Sequence, residues 1–290
     1  MSIYLKTIYN ALFGAWAGLL AWLLLDVLLK LNPESVWLDA ALNGAVVGMC
    51  IGALINTFSS LLARQLRLFA RSLVVGLLTG VIGGVFGLLI GEGAFQGGQQ
   101  ISKSLLLQES FRAIGWVIFG IGIGVTEGVL TFSLRRALYG GIGGVIGGLL
   151  SGAVFIVVTR VSNLALTNRA VGFVILGAFI GFFVALVPVV LSQAVLKVVS
   201  IKGEGTEFIV DKQVTTIGGA DRNDVLVGGE PSFVAKHAEI RQEKNQFVLY
   251  ALPGCLVTVN NDVPITRQAL QDNDRVKFGR VEMVFRRKGK

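Results

Sequence analysis

Histidine occurs once in the 290 residues, as His237, and cysteine twice, as Cys50 and Cys255. A histidine acting as a catalytic base needs a nucleophile or acid partner in a recognisable context, and none surrounds His237. Two cysteines so far apart supply neither a disulfide framework nor a metal-ligand spacing; a reducing compartment suits them. Charge is sparse as well, with Asp, Glu, Lys and Arg making up 15% of the chain. With a mean hydropathy of +0.71, that scarcity excludes an ordinary soluble protein. A basic stripe interleaved with aromatics is missing, so nucleic acid is not an expected partner. The Gly218-Gly219 pair is followed by neither the helix nor the lysine of a nucleotide-binding loop, and no cofactor is expected.

Glycine is abundant and unevenly placed. Residues 1–194 hold 29 of the 38 glycines, but 11 of the 26 basic and 6 of the 18 acidic residues. Residues 195–290 hold the other 15 basic and 12 acidic residues, a density normal for a soluble domain. The expected organisation is a membrane domain over 1–194 and a soluble domain over 195–290, with the break near Gln193–Lys197. The formal charge of +8 divides into +5 and +3 between them. The basic end, Arg286-Arg287-Lys288-Gly289-Lys290, reads as a solvated tail able to touch anionic headgroups.

A membrane-spanning helix needs about 20 mostly apolar residues. Six stretches qualify: Ile8–Leu31, Ala40–Leu61, Ser72–Ile90, Phe111–Phe132, Leu138–Val158 and Ala170–Leu191. Backbone polar groups inside lipid must be satisfied within the segment, so α-helices are expected; the alternating polarity of barrel strands is absent. Ile8–Leu31 is too long for the core of a cleaved signal peptide, and further spans follow it. Arg64, Arg67 and Arg71 fall between spans two and three, and Arg135 and Arg136 between spans four and five. Basic loops stay in the cytoplasm. Both termini and the soluble domain are therefore expected there, with the chain in the plasma (inner) membrane, although Arg160 and Arg169 run against this bias.

Within the spans the sequence repeats. Arg71, Gly76 and Gly80-Val81-Ile82-Gly83-Gly84 recur as Arg135, Gly140 and Gly144-Val145-Ile146-Gly147-Gly148, an offset of 64 residues. Arg112-Ala113-Ile114-Gly115-Trp116 recurs as Arg169-Ala170-Val171-Gly172-Phe173, with Gly120 and Gly124 matching Gly177 and Gly181, an offset of 57. Gly14 and Gly18, then Gly44, Gly48 and Gly52, echo the pattern in the first two spans. The unit is a two-helix hairpin used three times. Each unit has an even number of spans, so the pseudo-symmetry axis should lie along the membrane normal. Glycines four residues apart leave a smooth helix face on which a second backbone packs closely. Such faces could close the bundle itself, line a conduit, or bind a partner helix, including one from a second copy of the chain.

Asp26 and Glu127 are acids expected inside spans, where each costs about 2.5–3.5 kcal/mol on insertion scales. Asp26 lies near the outer end of span one, four residues before Lys30, a helical pairing distance. Glu127 lies toward the cytoplasmic leaflet and either pairs with a neighbouring arginine or lines a polar cavity. Pro188 is expected to kink span six.

Beyond residue 195 the pattern changes to short alternating runs punctuated by Gly-Gly, Pro-Gly and Asn-Asp pairs, the signature of an all-β sandwich. Expected strands are Glu207–Val210, Val214–Ile217, Val225–Val227, Ala238–Gln242, Phe247–Leu252, Val257–Val259, Arg275–Phe278 and Glu282–Arg286. Between Phe208 and Phe285 stand Ile217-Gly218, Asn223-Asp224-Val225, His237-Ala238-Glu239-Ile240, Val259-Asn260-Asn261 and Asp274-Arg275-Val276-Lys277-Phe278-Gly279. In this order the motifs resemble a forkhead-associated (FHA) domain. The whole layout resembles bacterial membrane-anchored FHA proteins, whose partners often belong to Ser/Thr kinase signalling or envelope assemblies.

The resemblance implies a protein-binding module in which Gly218 and His237 are structural, His237 bracing the ligand loops. It also implies where phosphothreonine would be read: an Arg directly after the first Gly, a Ser three residues before the His, and an Asn-Gly pair on a later loop. This chain has Gly219 and Val234 at the first two positions. Gly254-Cys255-Leu256-Val257-Thr258 is too short and apolar to supply the third. The loop face expected to meet a partner comprises Gly219, Arg222, Asn223, Val234, Lys236 and Asn260. Arg222, Lys236 and Arg241 are the nearest cations to replace the missing guanidinium fork.

The resulting expectation is non-enzymatic: a membrane-embedded adaptor or scaffold that recruits a cytoplasmic protein through a degenerate FHA domain, without ordinary phosphothreonine reading. The alternative is a channel or transporter with an FHA-like regulatory domain and Glu127 in its pathway. Neither a chain of ionisable residues nor a selectivity-filter sequence accompanies that alternative.

Overall fold

The structure, a computed structural model, describes residues 3–30, 33–62, 66–101, 103–161, 165–200, 205–220, 223–226, 234–244, 246–260 and 263–288. It divides into a unit spanning Thr7–Pro188 and a second that takes in Val189–Lys290. In the first, the apolar runs form six helical stretches long and apolar enough to cross a bilayer. They are α1 (Ile3–Trp22), continued by a π-helix over Leu23–Leu29; α2 (Val36–Leu62); α3 (Leu66–Ile101); α4 (Leu105–Gly124), extended by the short α5 (Thr126–Thr131); α6 (Leu134–Val161); and α7 (Ala165–Leu191). The third stretch outruns its apolar sequence: the helix passes Ile90, reaches Ile101 and carries Glu92 with it.

Glycine assembles these helices. Gly44, Gly48 and Gly52 of α2 face Gly84, Gly80 and Gly76 of α3. Trp116, Gly120 and Gly124 of α4 face Gly148, Gly144 and Gly140 of α6, and Phe173, Gly177 and Gly181 of α7 face Gly18, Gly14 and Asn10 of α1. A Cβ added to any of these glycines would come closer than 3.0 Å to the opposing backbone. All three contacts join the second helix of one hairpin to the first helix of the next. The hairpins α1–α2, α3–α4 and α6–α7 thus follow one another around a pseudo-threefold axis. Backbones this close gain dispersion contacts that lipid tails cannot match. These glycine faces are used to pack helices within one chain.

The second helices also share their inward residues. Val47, Phe119 and Leu176 occupy equivalent places, as do Ile51, Ile123 and Ile180, at offsets of 72 and 57 residues. All are at most 2% exposed and belong to one apolar cluster. The next equivalent set is Ile55, Glu127 and Val184. Ile55 and Val184 remain in the cluster. Glu127 leaves it, because α4 ends at Gly124 and α5 takes over from Thr126. Its side chain is 49% exposed and lies 3.6 Å from Arg136. Glu127 is thus half exposed and paired with Arg136, outside the apolar cluster.

Two more ion pairs tie helix ends. Asp26 lies 3.1 Å from Arg169, whose guanidinium also donates to Asn43 Oδ1 at 2.7 Å, so α1, α2 and α7 meet at one polar knot. Lys30 is not part of it. Lys30 instead ends the π-type helix around Asp26, in the left-handed region at φ 47°. Glu92 pairs with Arg112 at 3.2 Å, and that guanidinium sits 3.9 Å from the centre of the Phe95 ring. Asp26 and Glu92 stand at the same point in their repeats, eight residues beyond Gly18 and Gly84.

The second unit is a sandwich of two five-stranded sheets. Its strands are β1 (Ala194–Val198), β2 (Glu207–Val210), β3 (Val214–Gly218), β4 (Val225–Leu226), β5 (Ala238–Glu243), β6 (Gln246–Ala251), β7 (Val257–Val259), β8 (Arg267–Leu270), β9 (Arg275–Phe278) and β10 (Val281–Arg287). One sheet runs β2-β1-β10-β9-β7 and the other β4-β3-β5-β6-β8. Alternate residues point inward and fill a core that includes Leu196, Ile217, Ile240, Leu249, Phe278, Met283 and Phe285.

β1 and β8 are additions to the expected strands. β1 follows α7 after only Ser192 and Gln193, so its apolar run reads as the tail of the last span. The Arg-Gln-Ala-Leu of β8 has weak strand propensity. The α7–β1 junction is pinned: Lys288 donates through Nζ to the Val189 carbonyl at 2.5 Å and through its backbone N–H to Gln193 O at 2.9 Å. Burial lowers the Lys288 pKa, and the ammonium satisfies one of the carbonyls left open at a helix C-terminus.

Candidate partner-binding site

Register puts Ile217, Ala238 and Ala251 in line at one end of the sheet β4-β3-β5-β6-β8. Three loops meet at that end, and His237 joins them. Its backbone N–H donates to Ile217 O at 2.8 Å, and its carbonyl accepts from Leu252 N at 3.1 Å. Its ring Nε2 lies 3.4 Å from Leu256 O, and the ring stands edge-on to Phe278 with centroids 6.1 Å apart. His237 is 3% exposed, so it organises the loops from beneath.

The loops are stitched together by the residues that a ligand would otherwise use. Gly219 donates its N–H to Val234 O at 3.0 Å, and Ala220 donates to Ala235 O at 3.1 Å. Asn223 Nδ2 donates to Ala220 O at 2.9 Å and to Ala235 O at 2.6 Å. This close approach explains Gly218: a Cβ there would meet Ala235 O at 2.5 Å and Asn223 Nδ2 at 2.7 Å. Asp224 fixes the base of the same loop, accepting from Lys212 Nζ at 2.6 Å and Thr216 N at 3.1 Å.

Two of the three candidate cations are occupied too. Lys236 pairs with Glu239, and Arg241 pairs with the same carboxylate at 2.7 Å. Glu239 is 6% exposed. The hydrogen bond from Lys236 holds its carboxyl below the usual range. Arg241 also lies over the Tyr250 ring, 4.8 Å from its centre. Among the described residues of the loop end, Val234 is 52% exposed and Leu256 is 68% exposed, beside the paired Lys236. Arg222 lies outside the described residues.

Asn260 is corrected by register. β7 starts opposite Phe278 and finishes opposite Val276, running away from the loop end. Asn260 follows it at φ 56°. Its side chain donates to Asp274 Oδ1 at 2.9 Å and accepts from Arg275 N at 2.9 Å. It therefore braces the opposite end of the sandwich. Glu239 and Leu256 are the residues that sequence reasoning missed. Residues two apart on a strand share a face, so the pairing of Glu239 with Arg241 carried a readable signal. Leu256 was visible only as a position lacking the Asn-Gly pair.

Residues 215–279 match the FHA domain family, and the sandwich is an FHA domain, a protein-interaction module. The glycogen accumulation regulator GarA of Mycobacterium tuberculosis is 27% identical over 81 residues, 28% of this chain and 49% of that protein. The chain thus spans about half the length of the curated relatives it matches. Among solved structures, the FHA domain of the CT664 protein from Chlamydia trachomatis is similar at 22% identity and TM-score 0.31, covering 34% of this chain and 100% of that one. The cytoplasmic domain of the T3SS sorting platform protein PscD from P. aeruginosa is similar at 15% identity and TM-score 0.30, covering 34% and 82%.

Proposed function

We propose that this chain is a membrane-embedded adaptor whose FHA domain holds a cytoplasmic protein through an apolar, phosphate-independent loop face. The observation that carries this reading is the pairing at Glu239. One buried carboxylate is shared by Lys236 and Arg241, so both cations already have a partner, and Val234 and Leu256 are exposed. A phosphate arriving there would have to displace a formed ion pair and replace it with one of similar kind. A charge-assisted hydrogen bond contributes about 1.5–3 kcal/mol, so a loop end whose described cations are already paired has little with which to discriminate.

Calorimetry with matched phosphothreonine and unmodified peptide libraries is expected to show less than a tenfold preference, or about 1.4 kcal/mol. A larger preference would defeat this reading. If that preference vanished in Arg222→Ala, Arg222 would be the fork.

The same proposal places both termini in the cytoplasm, on the strength of the arginine-rich loops. In a chain with Cys50 and Cys255 replaced by serine, an impermeant thiol reagent applied to intact cells should modify Ser104→Cys. It should leave Val263→Cys, on an exposed turn of the FHA domain, unmodified until the cells are opened. External labelling of Val263→Cys would invert the topology.

A further inference from the structure

The two outward faces of the sandwich differ in how they handle charge. On the sheet β4-β3-β5-β6-β8, Lys236 and Arg241 are tied to Glu239 and Arg267 to Glu243. On the sheet β2-β1-β10-β9-β7, register brings a different set to the outward side. Ile209, Val195 and Arg286 form one row across β2, β1 and β10. Glu207, Lys197, Val284 and Arg275 form the next. Glu282, Lys277 and Thr258 form a third across β10, β9 and β7. Arg275 is paired with Glu282 at 3.3 Å. Among the described residues, Lys277 and Arg286 are exposed and carry no ion pair.

β1 of this sheet is also the strand that directly follows the last span in sequence. Val189, in the final turn of α7, packs with Val195, and Ile209 packs against them. Chain length gives no room to move away, since α7 ends at Leu191 and β1 begins at Ala194. If α7 crosses the bilayer, β1 begins within a few residues of the headgroups.

We propose that the outward face of β2-β1-β10-β9-β7 docks on anionic phospholipid headgroups of the membrane that holds α7, with Lys277 and Arg286 as its principal contacts. The proposal rests on α7 being a membrane span. Basic side chains near an anionic leaflet are drawn to it over about a Debye length, and salt weakens the attraction. Docking by a sheet face leaves the loop end at Val234 and Leu256 open, so lipid and protein contacts do not compete. The domain would then present its partner site in a fixed attitude rather than tumbling.

The full chain, with Cys50 and Cys255 replaced by serine, is reconstituted in nanodiscs of phosphatidylcholine alone or mixed with phosphatidylglycerol. A fluorophore is placed at Thr258→Cys on the basic face, or at Ala269→Cys on the opposite sheet, and headgroup spin-labelled lipid is the quencher. Quenching at Thr258→Cys is expected to rise severalfold with phosphatidylglycerol, to fall in high salt, and to be lost in Lys277→Glu/Arg286→Glu. Ala269→Cys should respond to none of these.

Equal quenching in both lipids, or equal response of the two probes, would overturn the proposal. So would lipid-dependent quenching that survives the double charge reversal. Salt-sensitive binding of polyglutamate to the face, without any lipid effect, would reassign it to an acidic protein. Failure of the chain to enter nanodiscs would overturn the spans, and the proposal with them.

Discussion

A soluble fragment starting at residue 200 is expected not to fold, whereas one starting at Ser192 is expected to melt cooperatively. The difference is β1. Although it lies next to the last span in sequence, it is an interior strand, paired with β2 on one side and β10 on the other. Its inward residues Ala194, Leu196 and Val198 are 0%, 0% and 4% exposed. Burying a Leu or Val side chain contributes about 1.5–3 kcal/mol, so Leu196 and Val198 alone represent a large part of a typical domain stability of about 5–15 kcal/mol. Removing β1 also strands β2, whose Val210 is fully buried, and opens the edge of β10. Circular dichroism and thermal denaturation of the two fragments provide the measurement. Fragment 200–290 should show no cooperative transition. Leu196→Ala within 192–290 should cost about 2–5 kcal/mol. If fragment 200–290 melted within a few degrees of the longer one, β1 would be an ornament rather than part of the core.

That strand marks a boundary of what the sequence makes legible. Period-two alternation and the turn residues exposed the strands other than β1 and β8. β1 has an outward Val195 packed with Val189 and Ile209, so its first three residues, Ala194 to Leu196, are apolar on both faces and merge with the helix before them. The same physics hid Glu92: an apolar window closes at the first charge, while a helix continues until its backbone is capped. Asp26 was visible as an intramembrane acid, but its partner Arg169 lies at the far end of the membrane sequence, and a local i+4 reading chose Lys30 instead. In the FHA domain, motif order located the loops and the missing ligand residues. It could not say which end of β7 carried Asn260, since that depends on strand direction. The glycine repeat was the most readable feature of the membrane unit, because close backbone crossings admit no other residue. The role of the first hairpin emerged only from its contacts with α3 and α7.

Gly48, Gly120 and Gly177 sit at the middle of the three inter-hairpin crossings, opposite Gly80, Gly144 and Gly14. Substituting any one with Leu is expected to abolish a stable, monodisperse fold in detergent. The obstructing atoms are backbone carbonyls and Cα atoms rather than flexible side-chain ends, so no rotamer change relieves the clash and the helices must separate. Even Ala at these positions should destabilise, by about 1–3 kcal/mol as overpacking usually does, despite the advantage of about 1 kcal/mol that Ala holds over Gly in a helix. Gly97 in α3 is the control, because a Cβ there meets nothing within 4 Å. Gly97→Ala should therefore leave stability unchanged or raise it. Thermal unfolding of the purified full chain, followed by size-exclusion chromatography or intrinsic fluorescence, distinguishes the cases. The pseudo-threefold arrangement adds a stricter requirement: the three equivalent substitutions should be similarly damaging, since they break one interface in its three copies. If Gly177→Leu were tolerated while Gly48→Leu and Gly120→Leu were not, α7 and α1 would not close the ring. The membrane unit would then be an open row of hairpins rather than a cycle.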